Sequence, residues 1–166
     1  MPRRSPAIEQ VLTLLAETPT QIAATTAGLT PAQLHAIPGP DEWSANDVLA
    51  HLRSCADVWG GCIKTMLDQD APAIRAVSPR TWIRRTNYPD EQFRQSFRAF
   101  AAQRADLLTV LEPLGPKGWS RTATVTGAGK VLTWTVLSYA ERLAAHERHH
   151  LEQFARIAIT ARGARG

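Results

Sequence analysis

Residues 143–154, "LAAHERHHLEQF", hold three of the chain's five histidines, His146, His149 and His150. Neutral imidazoles are good ligands for divalent cations, and two of them one helical turn apart can reach the same ion. The stretch lacks glycine and proline, so a helix is expected. Adjacent residues on a helix point about 100° apart, so at most two of these rings share a direction. With His146 placed at zero on a helical wheel, Val136, Tyr139, Leu143, Phe154 and Ile157 fall between about 20° and 80°. His150 lies inside that apolar sector at about 40°, and His149 lies at about −60° beside Ser138, Arg142 and Arg156. His146 and His150 are therefore an inward pair at i, i+4, while His149 faces out. An isolated H-x-x-x-H is common on helices, and two satisfied core histidines are the competing reading.

A third inward imidazole changes the balance. In "VLAHLRSC", His51 sits at the edge of a face built from Val48, Leu52, Cys55, Trp59, Cys62, Ile63 and Met66. Unpaired polar groups are costly in a core, and one shared cation would satisfy all three rings. Three protein ligands with a free fourth position is the catalytic form of such a site. The alternative for His51 is a bond to a backbone carbonyl or water. Cys55, one turn further on, is either a fourth ligand that closes the site or a small buried hydrophobe, and the second reading is favoured.

Other residues are placed to support the rings. Gln153 falls within a turn of both His146 and His150, where it could accept a ring N–H. Asp47 precedes His51 by one turn, but its simpler role is a helix cap. Glu147 points at about 100° into the apolar sector, and Arg104 falls among Phe97, Phe100 and Leu108. Two opposite charges misplaced on apolar faces predict an internal ion pair beside the metal pocket, with the carboxylate as supporting group or proton carrier. Snorkelling of both stems to the surface is the alternative.

The elements that position these residues follow from start and stop signals. A first helix begins at Ser5-Pro6 and is expected to kink or break at Pro19. "TPAQLHAI" gives a short piece from Thr30-Pro31. In "WSANDV", Ser44 caps a helix running to about Asp68, with Asp47 completing a capping box and Trp43 and Val48 placed as a staple. Residues 70–88 read as an irregular connection. A helix spans about Pro89–Leu111, carried by Phe93, Phe97, Phe100, Leu107 and Leu111. "TATVTGAGKVLTW" reads as a small hairpin, after which Thr133 caps a last helix reaching about Ala161. Four long amphipathic helices joined by long links predict an all-α four-helix bundle with crossovers.

The 166 residues suit a single domain, 1–166, with a core over about 6–160. No apolar run approaches a membrane span and no secretory leader is present, so a cytoplasmic protein with no membrane partner is expected. Cys55 and Cys62 lie about 10 Å apart along one helix, too far for a disulfide. The net charge is +4, with arginine supplying sixteen of nineteen basic residues. These arginines are scattered, and only "PRR" and "ARGARG" look like loose basic tails, so no nucleic-acid partner is expected.

"EWSANDVLAHLRSCADVW" (42–59), followed by "LAAHERHHLEQF" and preceded by "TPAQLHAIPGPDEWS", resembles the DinB-like superfamily, particularly its YfiT-like metal-binding bundles. The resemblance covers about residues 6–160. It implies a four-helix bundle of up-down-down-up topology, a divalent metal on His51, His146 and His150, and a homodimer. Zinc is the expected ion, with nickel next. It further implies a metal-dependent enzyme, foremost a transferase using a low-molecular-weight thiol such as mycothiol or bacillithiol as small-molecule partner. A metal-dependent hydrolase and a non-catalytic, stress-related dimeric bundle are the alternatives. Cys55 departs from the family pattern, in which a small or polar residue is more usual.

Overall fold

Local caps set where the helices begin. In the computed structural model, which describes residues 3–164, the Ser5 hydroxyl accepts the Ile8 amide to start α1 (Pro6–Thr26). Thr30 and Gln33 form a full capping box on α2 (Pro31–His35). Ser44 and Asp47 do the same for α3 (Ala45–Asp68): the Ser44 amide donates to Asp47 Oδ2 at 3.0 Å, and the Asp47 amide donates to Ser44 Oγ at 3.0 Å. Each box satisfies amides that the first helical turn leaves without partners.

The connection after α3 is more ordered than its composition suggests. It contains a short strand β1 (Ala73–Arg75), a one-turn helix α4 (Pro79–Trp82) and 3-10 turns over Ile83–Arg85 and Tyr88–Asp90. The next long helix, α5 (Phe93–Leu111), begins four residues later than Pro89. The chain from 88 to 91 is turned against α3 instead, where the Asn46 side-chain amide donates to the carbonyls of Pro89 and Glu91. After α6 (Pro116–Trp119), strands β2 (Thr122–Thr126) and β3 (Leu132–Thr135) form the expected hairpin, and β1 pairs parallel to β2 as a third strand.

Two sequence expectations about helix limits are corrected here. Thr133 pairs with Thr124 in the sheet, so the ladder must end first, and Thr135 caps α7 (Val136–Gly163). Nor does Pro19 break α1. A proline removes the bond to the carbonyl four residues back, and here the freed Leu15 carbonyl accepts from the Arg104 guanidinium at 3.0 Å. The tails also differ from loose arms where they are described. Arg4 donates to the Glu112 carbonyl, and Arg162 donates to the carbonyls of Thr25 and Ala27 at 3.0 Å each. Residues 1–2 and 165–166 of those tails lie outside the described residues.

The four long helices form a ring in which α1 touches α7 and α5, and α3 touches α7 and α5. Arg162 near the end of α7 meets the end of α1, so these two run parallel. Arg53 and Ser96 join the first halves of α3 and α5, which also run parallel. Arg4 at the start of α1 meets the end of α5, so that pair is antiparallel. The topology is up-down-down-up, and it requires the long crossovers. Among the described residues no helix is long and apolar enough to cross a membrane.

Two apolar clusters fill the bundle. One takes Leu15, Cys55, Leu107 and Leu143 from the four helices, and the other takes Ile22, Leu49, Phe100 and Phe154. Each long helix carries a buried polar residue near the seam of the two clusters: Thr18, His51, Arg104, and Glu147 with His150. The middle of the core is therefore a polar layer.

Candidate metal centre

His51 on the second turn of α3 and His146 and His150 on consecutive turns of α7 converge because those helices run antiparallel in contact. His146 Nε2 lies 2.9 Å from His51 Nε2 and 3.1 Å from His150 Nε2. His51 and His150 are buried, and His146 is half-buried. His149 is exposed. Indole rings wall the cluster: Trp59 sets its ring edge-on to His146 at 5.2 Å, and Trp43 lies 5.2 Å from His51 and stacks parallel to His150 at 6.3 Å.

The protonation of these rings follows from their surroundings. Burial, with smaller contributions from His150 and Arg80, lowers His51 from the usual 6.5 to about 4. Burial and the neighbouring histidines bring His146 to about 4 as well. His150 is also lowered by burial, against the opposing effect of Gln153. All three are neutral at pH 7. Gln153 Oε1 lies 2.7 Å from His150 Nδ1 and can only accept, so that nitrogen carries the proton and Nε2 presents its lone pair. A proton on His146 Nε2 can point well at only one of its two neighbours, whereas a cation among the three nitrogens satisfies all of them. An ion bonded to nitrogen at 2.0–2.1 Å in tetrahedral geometry spaces its ligands about 3.3 Å apart. The His51–His146 and His146–His150 separations are each within a few tenths of an ångström of that value, so each of these pairs is spaced to share a divalent ion.

Cys55 completes a second grouping. Its Sγ lies 3.6 Å from His51 Nε2, and the ligand atoms of His51, Cys55 and His146 all fall within 4.8 Å of one another. A tetrahedral ion with one thiolate would put sulfur and nitrogen about 3.5 Å apart, so distance alone admits Cys55. Burial and the nearby Glu147 carboxylate push its thiol up to about 12. Cys62 is half-buried near the Tyr139 hydroxyl, and both cysteines are free.

Glu147 and Arg104 meet inside the bundle. The guanidinium spans both carboxylate oxygens, with Nη1 to Oε1 at 2.8 Å, and the two side chains are 2% and 1% exposed. Glu147 follows His146 in sequence but pairs with Arg104 of α5, whose guanidinium also donates to the Leu15 carbonyl of α1. Both of its oxygens are held by that one guanidinium.

Sequence reasoning missed Arg80. It lies on α4, and with Trp43, His150, Gln153 and Arg156 it lines a cavity of about 570 Å³ beside the cluster. No periodicity marks residues 70–88, so no local signal could have placed it there. Trp43 and Trp59 were visible only as apolar residues; their role as walls depends on what faces them.

A family model described as the DinB superfamily matches residues 14–154. No curated protein sequence matches the chain. Among solved structures, the chain is similar to YfiT from Bacillus subtilis, with a TM-score of 0.78 at 17% identity, covering 95% of this chain and 91% of that one. YfiT is described as "a probable metal-dependent hydrolase with an unusual four-helix bundle topology".

Proposed function

The chain belongs to the DinB superfamily, and from that premise we propose that it is a metal-dependent enzyme whose divalent ion, zinc first and nickel next, sits on His51, His146 and His150. The observation that carries this reading is that His146 Nε2 lies 2.9 Å from His51 Nε2 and 3.1 Å from His150 Nε2, with one tautomer set by Gln153. When bound, such an ion lowers the pKa of a thiol or water at its open position. The residues around it do the rest. Gln153 holds His150 in its ligating tautomer, Trp43 and Trp59 limit how the rings can turn, and the cavity at His150 admits a small molecule.

The favoured reaction is transfer of a low-molecular-weight thiol to an electrophile. Glu147 is locked by Arg104, and the carboxylates lining the cavity, Asp41 and Glu42, are exposed. A thiol, already close to ionising at neutral pH, needs a general base less than water does. Hydrolysis is the second reaction, and the description of YfiT favours it. The position of Cys55 supports a further reading, a closed four-ligand site in a non-catalytic dimeric bundle.

Metal content by plasma mass spectrometry after reloading with zinc or nickel tests these readings. The expected result is about one ion per chain in the wild type and in Cys55→Ser, and none in His51→Ala or His150→Ala. An ion lost in Cys55→Ser would favour the closed site, and no ion in the wild type would overturn the metal centre. Bacillithiol or mycothiol consumption against ester hydrolysis then separates the two reactions.

A further inference from the structure

The cavity beside His150 has a charge arrangement that metal binding alone does not explain. Four charged side chains line it: Arg80 from α4, Arg156 from α7, and Asp41 and Glu42 from the turn before α3. Among the described residues the ion pairs are Arg53–Glu91 and Arg104–Glu147, so neither cavity arginine is within 4.0 Å of a carboxylate. Arg80 is exposed, with its guanidinium 5.7 Å from the centre of the Trp43 ring.

Its backbone, by contrast, is held firmly. Two residues on, Trp82 Nε1 donates to Asp57 Oδ2 at 3.0 Å, and the same carboxylate accepts from the Tyr88 hydroxyl at 2.7 Å and from Gln103. This clamp fixes α4 against α3. Arg80 and His150 line the same cavity. A guanidinium on the wall and a divalent ion on the floor repel each other across the same space. A negative group between them removes that repulsion and gains charge-assisted hydrogen bonds.

We propose that the cavity selects small molecules carrying an oxyanion, a carboxylate or a phosphate, gripped by Arg80 while the other end of the molecule reaches the imidazole cluster. Arg156 supplies a second positive group on the α7 side. The proposal rests on the metal-centre reading for what lies at the cavity floor, but the grip itself belongs to Arg80. Arginine suits the task because its planar fork matches both oxyanions.

Calorimetric titration of the zinc-loaded protein with succinate, succinamide and inorganic phosphate tests this. Wild type is expected to bind succinate or phosphate at least tenfold more tightly than succinamide, and the tighter of the two identifies the oxyanion. Arg80→Gln should weaken that binding about 10- to 100-fold, the scale of a charge-assisted bond. Arg80→Lys should retain part of it, and Arg84→Gln, which removes a nearby exposed charge, should retain all. Metal content of every variant should be unchanged. Oxyanion binding that is indifferent to Arg80→Gln would mean direct capture by the ion and would overturn the proposal. So would equal binding of succinamide, or no binding at all. Repeating the titration on metal-free protein separates the two claims. If the wild type takes up no zinc, the metal reading fails, and Arg80-dependent binding in that sample decides the oxyanion assignment by itself.

Discussion

Two polar groupings interrupt the core of this bundle, and they begin at neighbouring residues of α7. His146 turns towards α3 and joins His51 and His150, while Glu147 turns towards α5 and joins Arg104. The ion pair is matched in charge within the chain: the carboxylate holds both Nη atoms of the guanidinium, Nη1 also donates to the carbonyl that Pro19 left free, and Nε alone is left without a partner. The imidazole cluster is neutral: His146 Nε2 stands within 3.1 Å of both His51 Nε2 and His150 Nε2. A charge-matched buried pair can position helices without any ligand. The neutral cluster is less deeply buried, and it is the cluster that adjoins a cavity.

Breaking the pair gives the largest expected effect. Arg104→Met leaves the Glu147 carboxylate buried and unpaired, at a cost of about 3–5 kcal/mol, measurable by urea denaturation. The double variant Arg104→Met/Glu147→Leu should recover most of that loss while keeping metal stoichiometry. Loss of the metal in the double variant would show that the two groupings are one site.

The pH response should separate the groupings next. His51 and His146 titrate near 4 in the fold against 6.5 when unfolded. Between those values the unfolded chain takes up protons that the fold refuses. The imidazole contribution to the stability of metal-free protein is therefore complete above pH 6.5 and lost as pH falls towards 4, visible as a declining Tm. Zinc should raise Tm most at neutral pH and progressively less over that range, as protons compete for the ligands. A zinc effect independent of pH would argue against imidazole ligation.

The smallest effect concerns tautomer control. Gln153→Leu removes the acceptor of the His150 Nδ1 proton and should weaken zinc affinity about 10- to 100-fold, without altering denaturation of the metal-free protein by more than about 0.5 kcal/mol, since Gln153 is only half-buried. Competition with a chromophoric chelator reads the affinity. Unchanged affinity would leave Gln153 as a bystander.

Features that depend on residues within one or two turns were legible from the chain alone. The capping boxes at Ser44 and Thr30, the inward pairing of His146 with His150, the outward His149 and the out-of-place charges of Arg104 and Glu147 all follow from a 3.6-residue period and short-range bonding. Tertiary structure decided the rest. Pro19 continues a helix because an arginine 85 positions away reaches its orphaned carbonyl. Thr135 rather than Thr133 caps α7 because a strand partner claims the earlier threonine. Arg80 lines the cavity beside His150 because Asp57 clamps a segment with no periodicity of its own. Each of these depends on a group distant in sequence, and such a partner exists only once the helices have packed.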